Sequence, residues 1–129
     1  AKKARVLINE EEIEDFLMQN GYRVVIGSEY SGEELAAIYS KAKIVVGSLG
    51  AGLLNTLFSA QGISILALTS PGYYEAHLAQ ISKLRGNHYE YLVGEEIKSE
   101  DSIEGGIRNS NYFIPLAKLS EALRQIESN

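Results

Sequence analysis

Residues 44–74 read IVVGSLGAGLLNTLFSAQGISILALTSPGYY, thirty-one positions without one Asp, Glu, Lys or Arg. A stretch this long without charge belongs either in a membrane or in the centre of a domain. Gly47, Gly50, Gly52, Asn55, Gln61 and Gly62 interrupt it, so one spanning helix fits poorly. A better reading is strand, glycine turn, helix, strand. Ile44, Val45 and Val46 run into Gly47-Ser48, a helix extends from about Gly50 to Ala60 and stops at Gly62, and ISILALTS forms the next strand. Two continuous apolar strands separated by a helix require a parallel crossover with both faces of the sheet covered.

The same rhythm continues outward. Upstream, NEEEIEDFLMQN (residues 9–20) places Ile13, Phe16 and Leu17 on one helical face, with Asn9 as N-cap, Glu12 completing a capping box and Gly21 as the stop. Val24, Val25 and Ile26 form a short apolar run ending in Gly27-Ser28, which reads as a buried strand. Ser31 and Glu34 then cap a second helix whose inner side is Leu35, Ile38, Tyr39 and Ala42. Downstream, Pro71 suits the first position of a helix carrying Tyr74, Leu78, Ile81 and Leu84 on one face and ending at Gly86. HYEYLV (88–93) reads as a half-exposed fourth strand. LAKLSEALRQIE closes the chain as a helix with Leu116, Leu119, Leu123 and Ile126 inward. Arg5-Val6-Leu7-Ile8 is either a first strand or an extended lead-in. The expected fold class is α/β, one Rossmann-like parallel sheet flanked by helices, across residues 1–129.

Composition removes several functions. The 129 residues hold 12 Lys+Arg and 17 Asp+Glu, a net charge of −5, with no Cys and only His77 and His88 as histidines. Disulfides, thiolate chemistry and a His/Cys zinc site are thereby excluded, and no metal site is expected. A mild acidic excess without Lys/Arg clusters argues against nucleic acid and anionic membranes as partners. Residues 94–110, GEEIKSEDSIEGGIRNS, carry five acidic and two basic side chains, and so three of the five net negative charges. That polar loop is either a solvated excursion or a lid. The chain starts at Ala1, its only methionine is Met18, and AKKAR has no apolar core of a secretory signal. The expectation is a piece of a larger, cytoplasmic protein.

In an open parallel sheet, ligands bind beyond the carboxyl ends of the strands. Here those ends read Gly27-Ser28, Gly47-Ser48 and Thr69-Ser70, small and hydroxyl-bearing. Ser28 and Ser70 are either ligand contacts or turn and cap residues. The stronger feature is Gly47-Ser48-Leu49-Gly50-Ala51-Gly52-Leu53-Leu54-Asn55, where glycines between strand and helix allow close approach to a phosphate. No Gly-Lys-Ser/Thr follows, so it is not a P-loop. Gly50-x-Gly52-x-x-Asn55 places Asn at the third glycine of a dinucleotide fingerprint, and the next strand ends without the acidic residue that would hold a ribose. Candidate binding residues are therefore Ser48, Gly50, Ala51, Gly52 and Asn55, with Ser28 and Ser70. Arg5 either pairs with a diphosphate or is solvated, Glu10 either meets a sugar or ribose hydroxyl or simply opens the helix, and Asn9 is a cap or a site residue.

The wording of LAAIYSKAKIVVGSLGAGLLNTLF (35–58) resembles the glycosyltransferase family 61 domain, found among capsular polysaccharide biosynthesis proteins, in which an I-V-V-G strand precedes x-H-G-A-G-L-x-N-x-x-F. Gly50, Ala51, Gly52, Leu53, Asn55 and Phe58 match. Arg5 to Glu12 is similar to the family's R-x-x-x-N-E-x-E, and ILALTSPGYYEAHLAQISKLRGNHYEYLV is similar to its strand–helix–strand continuation. The resemblance implies the C-terminal, donor-binding half of a GT-B enzyme. Its substrate would be a nucleotide diphosphate sugar and its acceptor a growing glycan. Transfer would invert the anomeric carbon, with no obligatory metal or cofactor and with the general base in an N-terminal domain. An isolated half of this kind is expected to transfer little sugar and to self-associate through the face its partner domain covers. Leu49 stands where the motif has His. That departure implies either altered donor handling or a binding domain that has lost the chemistry.

Overall fold

The structure is a computed structural model that describes residues 6–49, 53, 56, 59, 61–73, 75–97 and 111–128. In chain order the elements are α1 (Glu10–Gln19), α2 (Gly32–Ser40), β1 (Ile44–Ser48), β2 (Ser64–Thr69), α3 (His77–Leu84), β3 (His88–Val93), β4 (Glu95–Glu96), β5 (Tyr112–Phe113) and α4 (Leu116–Glu127). No described helix is long and apolar enough to cross a membrane.

Strands β1, β2 and β3 form a parallel sheet in that order, with Ile44 opposite Ser64 and Ser64 opposite His88. β2 lies between the other two, and all six of its residues are buried. Alternate residues of β2 therefore feed two cores. Leu66 and Leu68 join Ile13 and Leu17 of α1 and Leu119, Leu123 and Ile126 of α4 on one face. Ile65 and Ala67 join Val45, Leu53, Ile63 and Leu78 of α3 on the other. The uncharged stretch is the centre of the domain, as its composition implies.

The capping box expected on α2 is present, Ser31 Oγ accepting from Glu34 N at 3.1 Å and Glu34 Oε1 accepting from Ser31 N at 2.9 Å. α4 buries Leu119, Leu123 and Ile126 with Leu116 half-buried, and β3 spans the expected residues. The helix expected from about Gly50 to Ala60 lies mostly outside the described residues. Of it, Leu53, Thr56 and Ser59 are described and all three are buried.

Five expectations are corrected. Val24, Val25 and Ile26 are not a buried strand: the segment pairs with no described strand and leaves Ile26 49% exposed. α3 does not start at Pro71. Gly72 has φ +82, a left-handed turn that stops a helix from forming, and the helix begins at His77 instead. There the Glu75 carboxylate accepts from the N–H groups of His77 and Leu78, taking the capping role. Of the residues expected inward on α3, Leu78 is buried but Ile81 is partly exposed and Leu84 is 88% exposed.

The remaining two corrections concern Asn9 and Glu95–Glu96. Asn9 precedes α1 but makes no side-chain cap bond to it, so the Asn9–Glu12 capping box is absent. Its amide instead pairs with the backbone of Ile114, Nδ2 donating to the carbonyl and Oδ1 accepting from the N–H. Val6 to Ile8 is an extended lead-in bridged to Tyr112, Ile8 N donating to Tyr112 O and Tyr112 N to Val6 O. Glu95–Glu96, expected to open the polar loop, pairs antiparallel with Tyr112–Phe113. Residues 98–110 of that loop lie outside the described residues.

Candidate functional site

The outer edge of β1 faces a cavity of about 880 Å³, walled by α1, residues 22–27 and α2. Its walls are mainly apolar, and its polar groups come from separate elements: Glu10 and Glu14 from α1, Arg23 and Lys41 from the ends of the neighbouring segments, and Ser48 from the carboxyl end of β1. Gly47 also lines it. A Cβ added at Gly47 would stand 3.0 Å from Leu53 Cδ2, so the glycine lets Leu53 pack against the strand end.

Two of the residues read from the sequence thus meet in one cavity, Glu10 at the first turn of α1 and Ser48 at the end of β1. Ser28 does not line it. That residue lies exposed in a 3-10 turn, Gly27–Glu29, with Gly27 as the cavity-lining neighbour. Ser70 is not a lining residue either. It follows β2, is 2% exposed, and its Oγ has no hydrogen-bond partner among the described residues. Arg5, Gly50, Ala51, Gly52, Asn55 and Phe58 lie outside the described residues.

Glu14, Arg23 and Lys41 were not read from the sequence as site residues. Glu14 had a legible signal, since it follows Glu10 by four positions and shares its helical face. Burial raises the Glu14 carboxyl above the usual carboxylate value, and the charges of Glu10, Asp15 and Glu11 push the same way. Arg23 and Lys41 carry no local signal. Arg23 Nη2 also donates to Tyr30 Oη at 3.3 Å, and its guanidinium lies 5.9 Å from that ring's centroid.

Leu49 is half-buried, packs with the Val45 and Leu53 core, lines the cavity, and donates its N–H to Leu68 O at 2.7 Å. An imidazole in the corresponding place would offer polar atoms to the cavity; Leu49 offers none. Neither histidine replaces it. His77 is exposed and its Nδ1 contacts Glu75 at 2.9 Å, while His88 Nε2 contacts Glu90 at 2.8 Å on β3. Burial pushes the Glu75 carboxyl up, but the hydrogen bonds it accepts from His77 and Leu78 outweigh this and hold it below its ordinary value. Among the described residues no three His, Cys, Asp or Glu side chains are grouped to hold a metal ion.

Residues 1–66, just over half of the chain, match the family Glycosyltransferase 61. The chain belongs to the glycosyltransferase 61 family. The matched span contains Asn9, Glu10, Glu14, β1, Ser48 and Leu49, and ends inside β2. The cavity is thus built mainly by the family-matched part, with Leu68 the one lining residue beyond it among the described residues. The similarity of residues 65–93 to the family's continuation lies outside that match from Ala67 onward. No curated protein matches the chain.

Proposed function

We propose that this domain binds the nucleotide-sugar donor of a glycosyltransferase acting in polysaccharide or capsule biosynthesis. The observation that carries this reading is that the family-matched residues bring Glu10 and Ser48 to one cavity, which runs along the outer edge of β1 and reaches its carboxyl end at Ser48. Ligands of open parallel sheets bind at that end. Ser48 Oγ and the glycine-rich sequence after it would receive the diphosphate, whose developing charge oriented donors stabilise during transfer. Carboxylates repel phosphates and accept hydrogen bonds from hydroxyls, so Glu10 and Glu14 would take the ribose or sugar. Residues 1–129 would be the Rossmann-like donor half of a cytoplasmic GT-B protein. A second domain would supply the acceptor site and the general base that deprotonates the glycan hydroxyl. Ile81 and Leu84, exposed on α3, would favour self-association of the isolated chain.

Calorimetric titration of the chain with uridine and guanosine diphosphates and their sugar conjugates tests the proposal. Saturable binding of at least one is expected; no heat with any nucleotide would overturn it.

A second reading is a binding or assembly domain that keeps the fold without the transfer chemistry. Leu49 favours it, because an apolar side chain packed into the core occupies the motif's histidine position. Leu49→His separates the two. A gain in nucleotide affinity identifies a degraded donor site, and unchanged affinity shows that the position takes no part in binding.

A further inference from the structure

Asn20-Gly21 is the one Asn-Gly pair among the seven asparagines of the chain. An asparagine followed by glycine is chemically fragile, because the second residue has no side chain to shield its backbone nitrogen from the first residue's carboxamide carbon. Asn20 ends α1 as its C-cap, and Gly21 follows at φ +88. Both residues are exposed, and a Cβ built on Gly21 would meet nothing within 4 Å. No neighbour therefore blocks the two groups from meeting.

In the folded chain a hydrogen bond occupies each group. Asn20 Nδ2 donates to Phe16 O at 2.8 Å, and Gly21 N donates to Met18 O at 3.1 Å. Both bonds belong to the last turn of α1, where a helix opens at least cost. The other described asparagines are held differently. Asn9 is clamped to Ile114, Asn87 Oδ1 accepts from Gly62 N and Ile63 N, and Asn111 Oδ1 accepts from Val6 N. Each of these bonds joins residues at least 24 positions apart, so tertiary structure must open to free the side chain. Asn20 is freed by the fraying of one turn, since its partner stands four positions away.

We propose that Asn20 is a site of spontaneous deamidation, gated by the opening of the last turn of α1. Gly21 N attacks Asn20 Cγ. The N–Cγ bond forms, the Cγ–Nδ2 bond breaks, and ammonia leaves with the proton from Gly21 N. Water then opens the five-membered imide at either carbonyl, leaving aspartate or isoaspartate at position 20. The new carboxylate has no N–H to give Phe16 O, and its charge stands at the C-terminus of α1, where the helix dipole opposes it. Leu17 O accepts from Asn20 N and Tyr22 N in the same turn, and Leu17 and Tyr22 line the cavity. The modification thus loosens one wall of the cavity, whichever ligand the domain takes.

Peptide mapping of the 129-residue chain after incubation in mildly alkaline buffer tests the proposal. Conversion is read as the mass shift from carboxamide to carboxylate, and isoaspartate by enzymatic methylation. Position 20 is expected to convert at least about tenfold faster than Asn9, Asn87 or Asn111, and more slowly than in a synthetic peptide of residues 16–24. Conversion no faster than at those three asparagines overturns the proposal. A rate equal to the peptide's overturns it too, because the turn would then impose no gate. Gly21→Ala crowds the attacking nitrogen and is expected to slow conversion at position 20 by at least about tenfold. An undiminished rate in that variant overturns attack by Gly21 N. The unmodified chain decides the matter even where the variant does not fold.

Discussion

The side-chain amide of Asn9 is bonded at both ends to the backbone of Ile114, 105 positions away: Nδ2 donates to the carbonyl at 2.8 Å and Oδ1 accepts from the N–H at 3.1 Å. The amide thereby imitates one more rung of the bridge between Leu7 and Tyr112, and ties the start of α1 to the lead-in of α4. Ile114 is fully buried, so its backbone groups have no water to fall back on.

Asn9→Ala is expected to cost about 2 kcal/mol, because two backbone groups lose their partner where solvent cannot reach them. Asn9→Asp keeps the acceptor but sets a carboxylate oxygen against the Ile114 carbonyl. It should be at least as damaging near neutral pH and recover in acid, where the protonated carboxyl can donate. Urea denaturation of both variants measures this, and a midpoint unchanged in Asn9→Ala would show that the clamp contributes nothing.

Gly94 follows β3 where the chain passes β5. A Cβ there would stand 2.7 Å from both Phe113 O and Tyr112 Cδ2, and 3.1 Å from Ile114 Cγ1. Two of these neighbours are side chains locked in the core and the third is backbone, so none can yield cheaply. Gly94→Ala should therefore destabilise the fold by about 1–3 kcal/mol, the usual cost of overpacking. Thermal unfolding reads the effect, and a variant as stable as the parent contradicts the packing described.

Ser70 buries its hydroxyl without a partner among the described residues. Its burial is a standing cost to the protein, so Ser70→Ala should raise stability by up to about 1 kcal/mol in urea denaturation and, since Ser70 does not line the cavity, leave nucleotide binding unchanged. A loss of stability instead would assign Ser70 an ordinary structural role.

Tyr22 Oη donates to Glu127 Oε1 at 2.8 Å, joining the end of α1 to the end of α4. Burial raises the phenol above its ordinary value of 10.0, and the hydrogen bond to Glu127 and that residue's charge add to the shift. The folded state thus holds the proton more tightly than the unfolded chain. The stability it contributes is complete below pH 10 and is lost as the pH climbs through the alkaline range. Tyr22→Phe should lose less stability on going from neutral to strongly alkaline pH. Tyr39, also raised by burial, is common to both proteins and cancels in the difference. Parallel pH curves would show that the pair contributes no linkage.

Much of the fold was legible because its signals are local. Ser31 and Glu34 stand three apart and cap α2 as read, and the spacing of Leu119, Leu123 and Ile126 marks the buried side of α4. Uninterrupted apolar runs found β1 and β2. The same logic failed at Val24–Ile26, where an apolar run specifies the ability to pair but not the occupancy of a neighbouring edge. It failed at α3 because Pro71 marked a turn, and the residue that starts the helix is Glu75. The site was half legible. Glu10 and Ser48 meet on one cavity, whereas Arg23 and Lys41 reach it only because α1, α2 and β1 converge there.

The sequence by itself determined the class of fold, the buried uncharged centre and the resemblance to a glycosyltransferase domain, since periodicity, capping and motif spacing act over a few residues. Tertiary structure alone decided the partner of Asn9, the pairing of Glu95–Glu96 with Tyr112–Phe113, and which polar groups share a cavity. The physical reason is that a hydrogen bond is set by distance and angle in space. A side chain written as a helix cap is free to bond a backbone 105 residues away once the sheet has brought the two together.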